Sequence, residues 1–364
     1  MMVVRHLASI RKIDQILPIK GKDRIVLAIV DGWSVIVRKD EFSAGDLCVY
    51  IEIDSVLPEK PEFEFLRGKG FRIKTMKMAG CISAGICFPL SILPIGDYHF
   101  GDDVTDVLGI KQYTPTMDTG DLPAEFERRK RYPRFLMRMA WFRRIVLNRI
   151  KCGNTGFPSF LRKTDETRIQ NIPHVLDDRE KEWIATEKID GQSGSFALVK
   201  RKKRFPFERN HYDFIVCSRN RQLCVRDNSS YWRVAEKYHI EDVLKNLIGN
   251  ADWVAIQGEC IGPKIQGNKY HVTDFDLFVF NLIYPTGRMG SLTAKAAVEK
   301  RGLKFVPILD EGVVLPKTVD EVLQYAHGKS AIGDTLREGV VFRSLDGRES
   351  FKAVDPLYLI KYDE

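Results

Sequence analysis

Ala185-Thr186-Glu187-Lys188-Ile189-Asp190-Gly191-Gln192-Ser193-Gly194-Ser195-Phe196-Ala197-Leu198-Val199 decides how the chain is read. Two apolar-rich runs flank a Lys-Ile-Asp-Gly break, which predicts a strand ending at Lys188, a turn, and a second strand. A lysine amine attacks phosphorus only as the free base, so a nucleophilic lysine needs its pKa lowered by neighbouring cations or by burial. Its tip reaches the α-phosphate of a nucleotide while the backbone stays still. Gly191 is expected to let the chain turn tightly beside that nucleotide. The four letters recur by chance, and a surface lysine ahead of a turn fits them equally well. The residues that follow decide between the two.

Asp213 to Cys217 reads as an apolar strand leading into Ser218-Arg219-Asn220, where an arginine suits ribose hydroxyls or a phosphate. Trp253-Val254-Ala255-Ile256-Gln257-Gly258-Glu259 reads as a buried strand that presents a carboxylate to a ribose or to metal-bound water. Phe278-Val279-Phe280-Asn281 is an aromatic strand, and Phe280 is the candidate to stack on a purine, against the plainer reading of a core aromatic. Glu338-Gly339-Val340-Val341-Phe342-Arg343 repeats the carboxylate-at-a-strand pattern. Ser350-Phe351-Lys352-Ala353-Val354 then sets a second lysine on a strand. Two lysines on one phosphate would let Lys352 depress the pKa of Lys188 and neutralise the phosphate in the transition state. Asp190, Glu259 and Glu338 are the oxygen ligands expected to hold hydrated Mg²⁺ or Mn²⁺.

Taken in order, Lys-x-Asp-Gly, Ser-Arg, Gly-Glu, Phe-x-Phe, Glu-Gly-Val-Val and Phe-Lys resemble the motifs of the covalent nucleotidyltransferase superfamily of ATP-dependent ligases and RNA capping enzymes. The set is most similar to the ATP-dependent RNA ligase branch that carries an OB-fold ahead of the nucleotidyltransferase domain. Phe71 to Gly85 looks like that branch's N-terminal module. Lys163-Thr164-Asp165-Glu166-Thr167-Arg168-Ile169-Gln170-Asn171 looks like the segment just before its nucleophile. The resemblance implies an α+β chain: an OB-fold barrel over 1–110, a linker and basic helical region over 111–159, and an ATP-grasp-like nucleotidyltransferase domain of antiparallel sheets and helices over 160–364. It implies that Lys188 accepts AMP from ATP and that Lys352 holds the α-phosphate. Arg168 would bind the β and γ phosphates, Arg219 the ribose, and Phe280 the adenine, with Glu187 among the nucleotide-binding residues. Asp190, Glu259 and Glu338 would share ribose and metal-bound water. RNA ligases of this superfamily often close with Lys-x-Lys, whereas position 354 here is Val354 and the next lysine is Lys361.

Upstream, the chain reads as all-β to about residue 110. Arg24 to Val30, the Asp31-Gly32 turn and Trp33 to Val37 predict a hairpin, and Leu47 to Ile53 a third strand. Short strands with Gly and Asp turns suggest a small barrel. From Arg67 to Met78 cations alternate with apolar residues, so Arg67, Lys69, Arg72, Lys74 and Lys77 are expected along one face of a strand and are the candidate RNA contacts. The plainer reading is a lysine-guarded edge strand. Gln112 to Leu122 reads as loop. Ala124 to Lys151 reads as a basic helical region, either an RNA-facing arm, a membrane-surface helix, or a helix packed on the next domain. Arg201-Lys202-Lys203-Arg204 is expected in a hairpin loop.

The 364 residues, 44% of them hydrophobic, suffice for two or three cored domains, and a net charge of +8 favours a polyanionic partner. Seven scattered cysteines without Cys-x-x-Cys argue for reduced thiols in an intracellular compartment (cytoplasm, nucleus or organelle) and against a zinc ribbon or disulfide frame. A Walker-type phosphate loop is missing, which argues against kinase chemistry. The expected partner is RNA, a nicked duplex or an RNA/DNA hybrid, bound by a monomer away from any membrane. The competing readings are a capping guanylyltransferase or DNA ligase, and an inactive nucleic-acid-binding protein. The first two usually carry their OB-fold after the lysine domain.

Overall fold

The computed structural model describes residues 6–113, 156–201, 211–223, 229–345 and 347–362. The first of these blocks is the β-rich module. Its strands are β1 (Ala8–Lys12), β2 (Gln15–Pro18), β3 (Ile25–Val30), β4 (Trp33–Arg38), β5 (Leu47–Ile51), β6 (Ser55–Val56), β7 (Thr75–Met78), β8 (Cys81–Ala84), β9 (Ile86–Phe88) and β10 (Lys111–Gln112), with the short helix α1 (Thr105–Leu108) before the last. β5 pairs with β1 and β9, β3 with β2 and β4, β7 with β8, and β6 with β10. Asp31 and Gly32 both have positive φ, 48° and 76°, as a two-residue turn between β3 and β4 requires. Inward strand residues, among them Ile10, Val35, Val49 and Ile51, fill one core together with Phe63.

One expectation is corrected here. Arg67 to Met78 is not a single strand. Pro61–Lys69 forms a 3₁₀ helix, Gly70 and Phe71 take left-handed backbone at φ 60° and 57°, and only Thr75–Met78 is extended. Proline at the helix start and glycine after its end favour this arrangement. Arg67 and Lys69 therefore lie at a helix end and Lys77 on a hairpin, while Arg72 turns inward. The basic region Ala124–Lys151 and the loop after Arg201 lie outside the described residues.

The remainder contains two antiparallel sheets. β11 (Glu182–Lys188) runs through Ile189-Asp190-Gly191 directly into β12 (Gln192–Lys200); β13 (Tyr212–Cys217), helices α2 (Ser230–Lys237) and α3 (Ile240–Ile248), β14 (Trp253–Ile261), β15 (Asp276–Tyr284) and β16 (Gly287–Arg288) follow. Then come α4 (Ser291–Glu299), β17 (Lys304–Phe305), β18 (Ile308–Val314), α5 (Val319–Ala326), β19 (Gly339–Ser344), β20 (Ser350–Val354) and α6 (Pro356–Tyr362). One sheet has the order β18-β11-β19-β20; the other runs β13-β12-β14-β15-β16, with β17 parallel to β15. The Lys-Ile-Asp-Gly break is thus the point where the chain leaves one sheet and enters the other.

Helices cover one face of each sheet, and on the other face of the larger one Ala197 and Ala255 pack with Leu161. α2, α3 and α4 cover the larger sheet through Trp232, Leu244 and Val298, packed on Phe196, Ile256 and Leu282. The smaller sheet packs Trp183, Phe342 and Phe351 against α5. Phe342 and Phe351 stack with centroids 5.0 Å apart, and Trp183 meets Phe351 edge-on at 5.1 Å. Such aromatic pairs add about 0.5–1.5 kcal/mol beyond area burial. The barrel docks on this domain through polar contacts: Asn171 Nδ2 donates to Glu52 Oε1 at 2.7 Å and Trp33 Nε1 to Asn171 Oδ1 at 3.3 Å. Val354 and Leu359 join the barrel core.

Candidate active site

A cavity of about 440 Å³ opens where the two sheets diverge, and the barrel forms part of its wall. Lys188 ends β11 opposite Gly339, and Lys352 lies opposite Val341 on the far side of β19. This sheet register, not proximity in sequence, brings the two amines to one cavity. Thr186, Glu187, Lys188 and Asp190 line it from the β11 side, Glu259 and Phe280 from the other sheet, and Glu338, Val341, Arg343 and Lys352 from β19 and β20. Arg168 and Arg219 border it, and Asp54, Arg72, Gln112 and Tyr113 complete it from the barrel module. Of the candidate RNA cations, Arg72 alone faces the cavity. It is bonded to Asp54 at 3.0 Å, and its guanidinium lies 3.6 Å from the Tyr113 ring centroid.

Each cation rests against a carboxylate. Lys188 Nζ is 2.5 Å from Glu338 Oε2, Lys352 Nζ donates to Asp165 Oδ1 at 2.7 Å, Arg219 lies 3.4 Å from the other oxygen of Asp165, and Arg168 lies 3.6 Å from Asp54. The backbone of Lys352 also donates to Thr167 O at 2.8 Å, which ties β20 to the Asp165–Arg168 segment. Glu187 is nearly inaccessible and accepts from Ser330 Oγ and the Ala331 amide at 2.5 and 2.7 Å; burial pushes its carboxyl up despite those bonds.

The electrostatics reverse one expectation. Burial pushes the Lys188 ammonium down, but Glu338, Glu259 and Asp190 together outweigh it, so Lys188 sits above the ordinary lysine value. The depressed amine is Lys352, lowered to about 8 by burial and by the nearby Arg168 and Lys188, with Asp165 opposing. Glu259 is raised to about 8, by burial first and then by Glu338 and Asp190, against Lys188 and Arg219. Burial lowers Arg343 to about 10; it donates to Thr186 Oγ1 at 3.1 Å and lies 5.8 Å from the Phe280 ring centroid.

Gly191 also acts differently than expected. It is not among the residues with positive φ; a Cβ there would fall 2.4 Å from Cys260 O and 3.0 Å from Glu259 Cγ. Glycine is needed for close approach of the turn to β14, which places Glu259 beside Lys188. Gly339 is constrained alike, since a Cβ there would lie 2.2 Å from Ala353 O. Val354 packs into the barrel core while bordering the cavity, and Lys361 is exposed and does not line it.

Among the described residues no three His, Cys, Asp or Glu side chains converge to ligate an ion directly. Glu259 and Glu338 do offer hard oxygen donors toward the cavity, which fits a hydrated divalent ion better than a soft-metal site. Sequence reasoning missed Asp165, Arg343, Tyr113, Lys269, Tyr270 and Tyr358. Asp165 lies inside the quoted Lys163–Asn171 segment and Arg343 ends the quoted Glu338–Arg343 segment; the others carry no local spacing signal.

An OB-fold barrel joined to a two-sheet domain with paired lysines defines a nucleic-acid ligase architecture. The RNA ligase family model matches residues 181–362 and an OB-fold domain model residues 7–90, and the chain belongs to the RNA ligase family. Among solved structures it is similar to the Naegleria gruberi RNA ligase with PPi, at 30% identity, a TM-score of 0.79 and 99% coverage of both chains. A variant of that ligase with ATP and Mn matches at 29% identity and TM-score 0.79, covering 99% of this chain and 100% of that one. Another with AMP and Mn gives 29%, 0.78 and 98% of each chain. No curated protein sequence matches.

Proposed function

We propose that this RNA ligase seals 3′-OH/5′-phosphate breaks, at nicks in duplex RNA, through a lysyl-AMP on Lys188. The observation that carries the reading is the placement of Lys188 and Lys352 on one cavity with Phe280 and three acidic groups. Lys188 Nζ sheds a proton toward Glu338 and attacks the α-phosphorus of ATP, forming the N–P bond as the bond to pyrophosphate breaks. The RNA 5′-phosphate oxygen then attacks the adenylate phosphorus and the P–N bond breaks. Finally the 3′-hydroxyl attacks the RNA 5′-phosphorus and AMP leaves. Lys352 and Arg219 hold the α-phosphate and ribose, Arg168 the departing pyrophosphate, and Phe280 with Val341 the adenine.

Bound Mg²⁺ or Mn²⁺ would supply charge neutralisation at the α-phosphate, held through water by Glu259, Glu338 and Asp190. The similar Naegleria ligase structures contain ATP, AMP and Mn, which supports this choice of co-substrate and ion. Exposed Arg67, Lys69 and Lys77 of the barrel module, with the chain's +8 charge, fit a duplex backbone gripped by a monomer in an intracellular compartment. Incubation with ATP labelled at the α-phosphate and Mg²⁺ tests the reading. Label that stays on the protein and is lost in Lys188→Ala supports it. Label from GTP alone would favour capping, and a protein that takes no label is a binding module.

A further inference from the structure

The turn that follows Lys188 is gripped by side chains from two remote parts of the chain. Asp190 is 8% exposed. Its Oδ2 accepts from Lys269 Nζ at 2.5 Å and from Tyr358 Oη at 2.7 Å, while its backbone amide donates to Tyr270 Oη at 2.8 Å. Gln266 reaches the next peptide, donating to Gly191 O at 3.5 Å. The loop that supplies Gln266, Lys269 and Tyr270 is itself contorted. Gln266, Gly267, Asn268 and His271 have φ of 46°, 67°, 51° and 52°, and only one of these is glycine. Left-handed non-glycine backbone persists only where its surroundings enforce it. Here Asn268 bonds both the amide and the carbonyl of Val272 at 3.0 Å.

Tyr358 comes from α6 and is fully buried. Asp355 sets the start of that helix: it accepts from the Leu357 amide at 2.9 Å and pairs with His327 at 2.8 Å. One turn on, Leu359 packs into the barrel core and borders the cavity. The helix therefore touches the barrel and the nucleophile's turn at once. Lys269 Nζ also lies 4.9 and 4.5 Å from the ring centroids of Tyr358 and Tyr362, which fixes the amine over one oxygen of Asp190.

We propose that Lys269 and Tyr358 are positioning residues for lysine adenylylation, clamping Asp190 so that Lys188 and the Asp190 carboxylate keep a fixed relation across the turn. This rests on the ligase reading of the cavity. A partner that only orients an active-site carboxylate acts on the rate of the step more than on nucleotide capture, and its loss lowers activity about 10–100-fold where such outer partners have been removed.

The test is single-turnover formation of lysyl-AMP by the full chain, as a function of ATP concentration, for wild type, Tyr358→Phe, Lys269→Met and Lys269→Arg, with thermal melting of each. Tyr358→Phe removes one oxygen and keeps the ring, so it decides the matter should Lys269→Met fail to fold. The expected result is a rate at saturating ATP about tenfold lower in Tyr358→Phe and Lys269→Met. The half-saturating ATP concentration should stay near that of wild type, and Lys269→Arg should recover most of the rate. Wild-type rates in folded Tyr358→Phe, or a defect confined to ATP affinity, would overturn the proposal while leaving the ligase reading intact. A wild-type chain that forms no adenylate at all instead sinks the ligase reading, and the clamp with it.

Discussion

Glu259 shows how a single buried carboxyl ties stability to pH in this site. With its folded pKa raised to about 8 against an ordinary value of 4.5, the folded protein holds a proton that the unfolded chain releases. The associated stability is fully present below about 4.5 and is lost as pH rises through about 8. Glu259→Gln imitates the protonated form. Its melting temperature should therefore gain on that of wild type between pH 5 and pH 9, and parallel curves would show that Glu259 is not the group responsible. Lys188 carries the complementary prediction. Glu338 is the principal group holding its amine protonated, so Glu338→Gln should lower the Lys188 pKa. The pKa is read from the pH dependence of Lys188 modification by an amine-selective reagent: the variant lysine reacts at lower pH than wild type, and an unchanged profile would show that Glu338 does not hold the proton there.

At the scale of elements, the strand junctions carry the site. β11 and β12 belong to different sheets, and the three residues between them succeed only because Gly191 lies against the Cys260 carbonyl. Gly339 permits the same closeness between β19 and β20. Gly339→Ala would force a methyl to 2.2 Å from Ala353 O, pushing apart the strands that bear Lys188 and Lys352. We expect a loss of about 2–4 kcal/mol in denaturant unfolding, in the upper range for a core overpacking change, together with loss of adenylylation. An alanine variant of wild-type stability would contradict this geometry. The strands themselves were legible: the β3–β4 hairpin falls at its Asp31-Gly32 turn, and β13, β14, β15 and β19 fall on the apolar runs from Asp213 to Cys217, Trp253 to Glu259, Phe278 to Asn281 and Gly339 to Arg343. The stretch from Arg67 to Met78 was not, because period-two alternation continues across Gly70, where positive φ ends a helix rather than extending a strand.

For the molecule as a whole, the cavity belongs to both modules, with Asp54, Arg72, Gln112 and Tyr113 facing Lys188 and Lys352 across it. Docking combines the apolar seat of Val354 and Leu359 in the barrel core with a set of polar contacts. Asn171→Ala removes the amide that bonds buried Glu52 and the acceptor for Trp33 Nε1. Loss of such buried partners costs about 1–3 kcal/mol. The expected outcome is earlier unfolding in urea and an increase in radius of gyration by solution scattering as the barrel separates; an unchanged radius would place the docking energy elsewhere.

The amino-acid sequence by itself determined which residues could do chemistry. The residue types of Lys188, Glu259, Phe280, Glu338 and Lys352, and their places on or beside strands, are local properties, written in apolar runs and their breaks. Only the tertiary structure decided how these groups act on one another. That Lys352 rather than Lys188 has the lowered pKa, that Gly191 serves packing rather than a turn, and that Lys269 and Tyr358 meet on Asp190 all depend on distances across sheets and on burial. Both arise from long-range packing that no local pattern encodes.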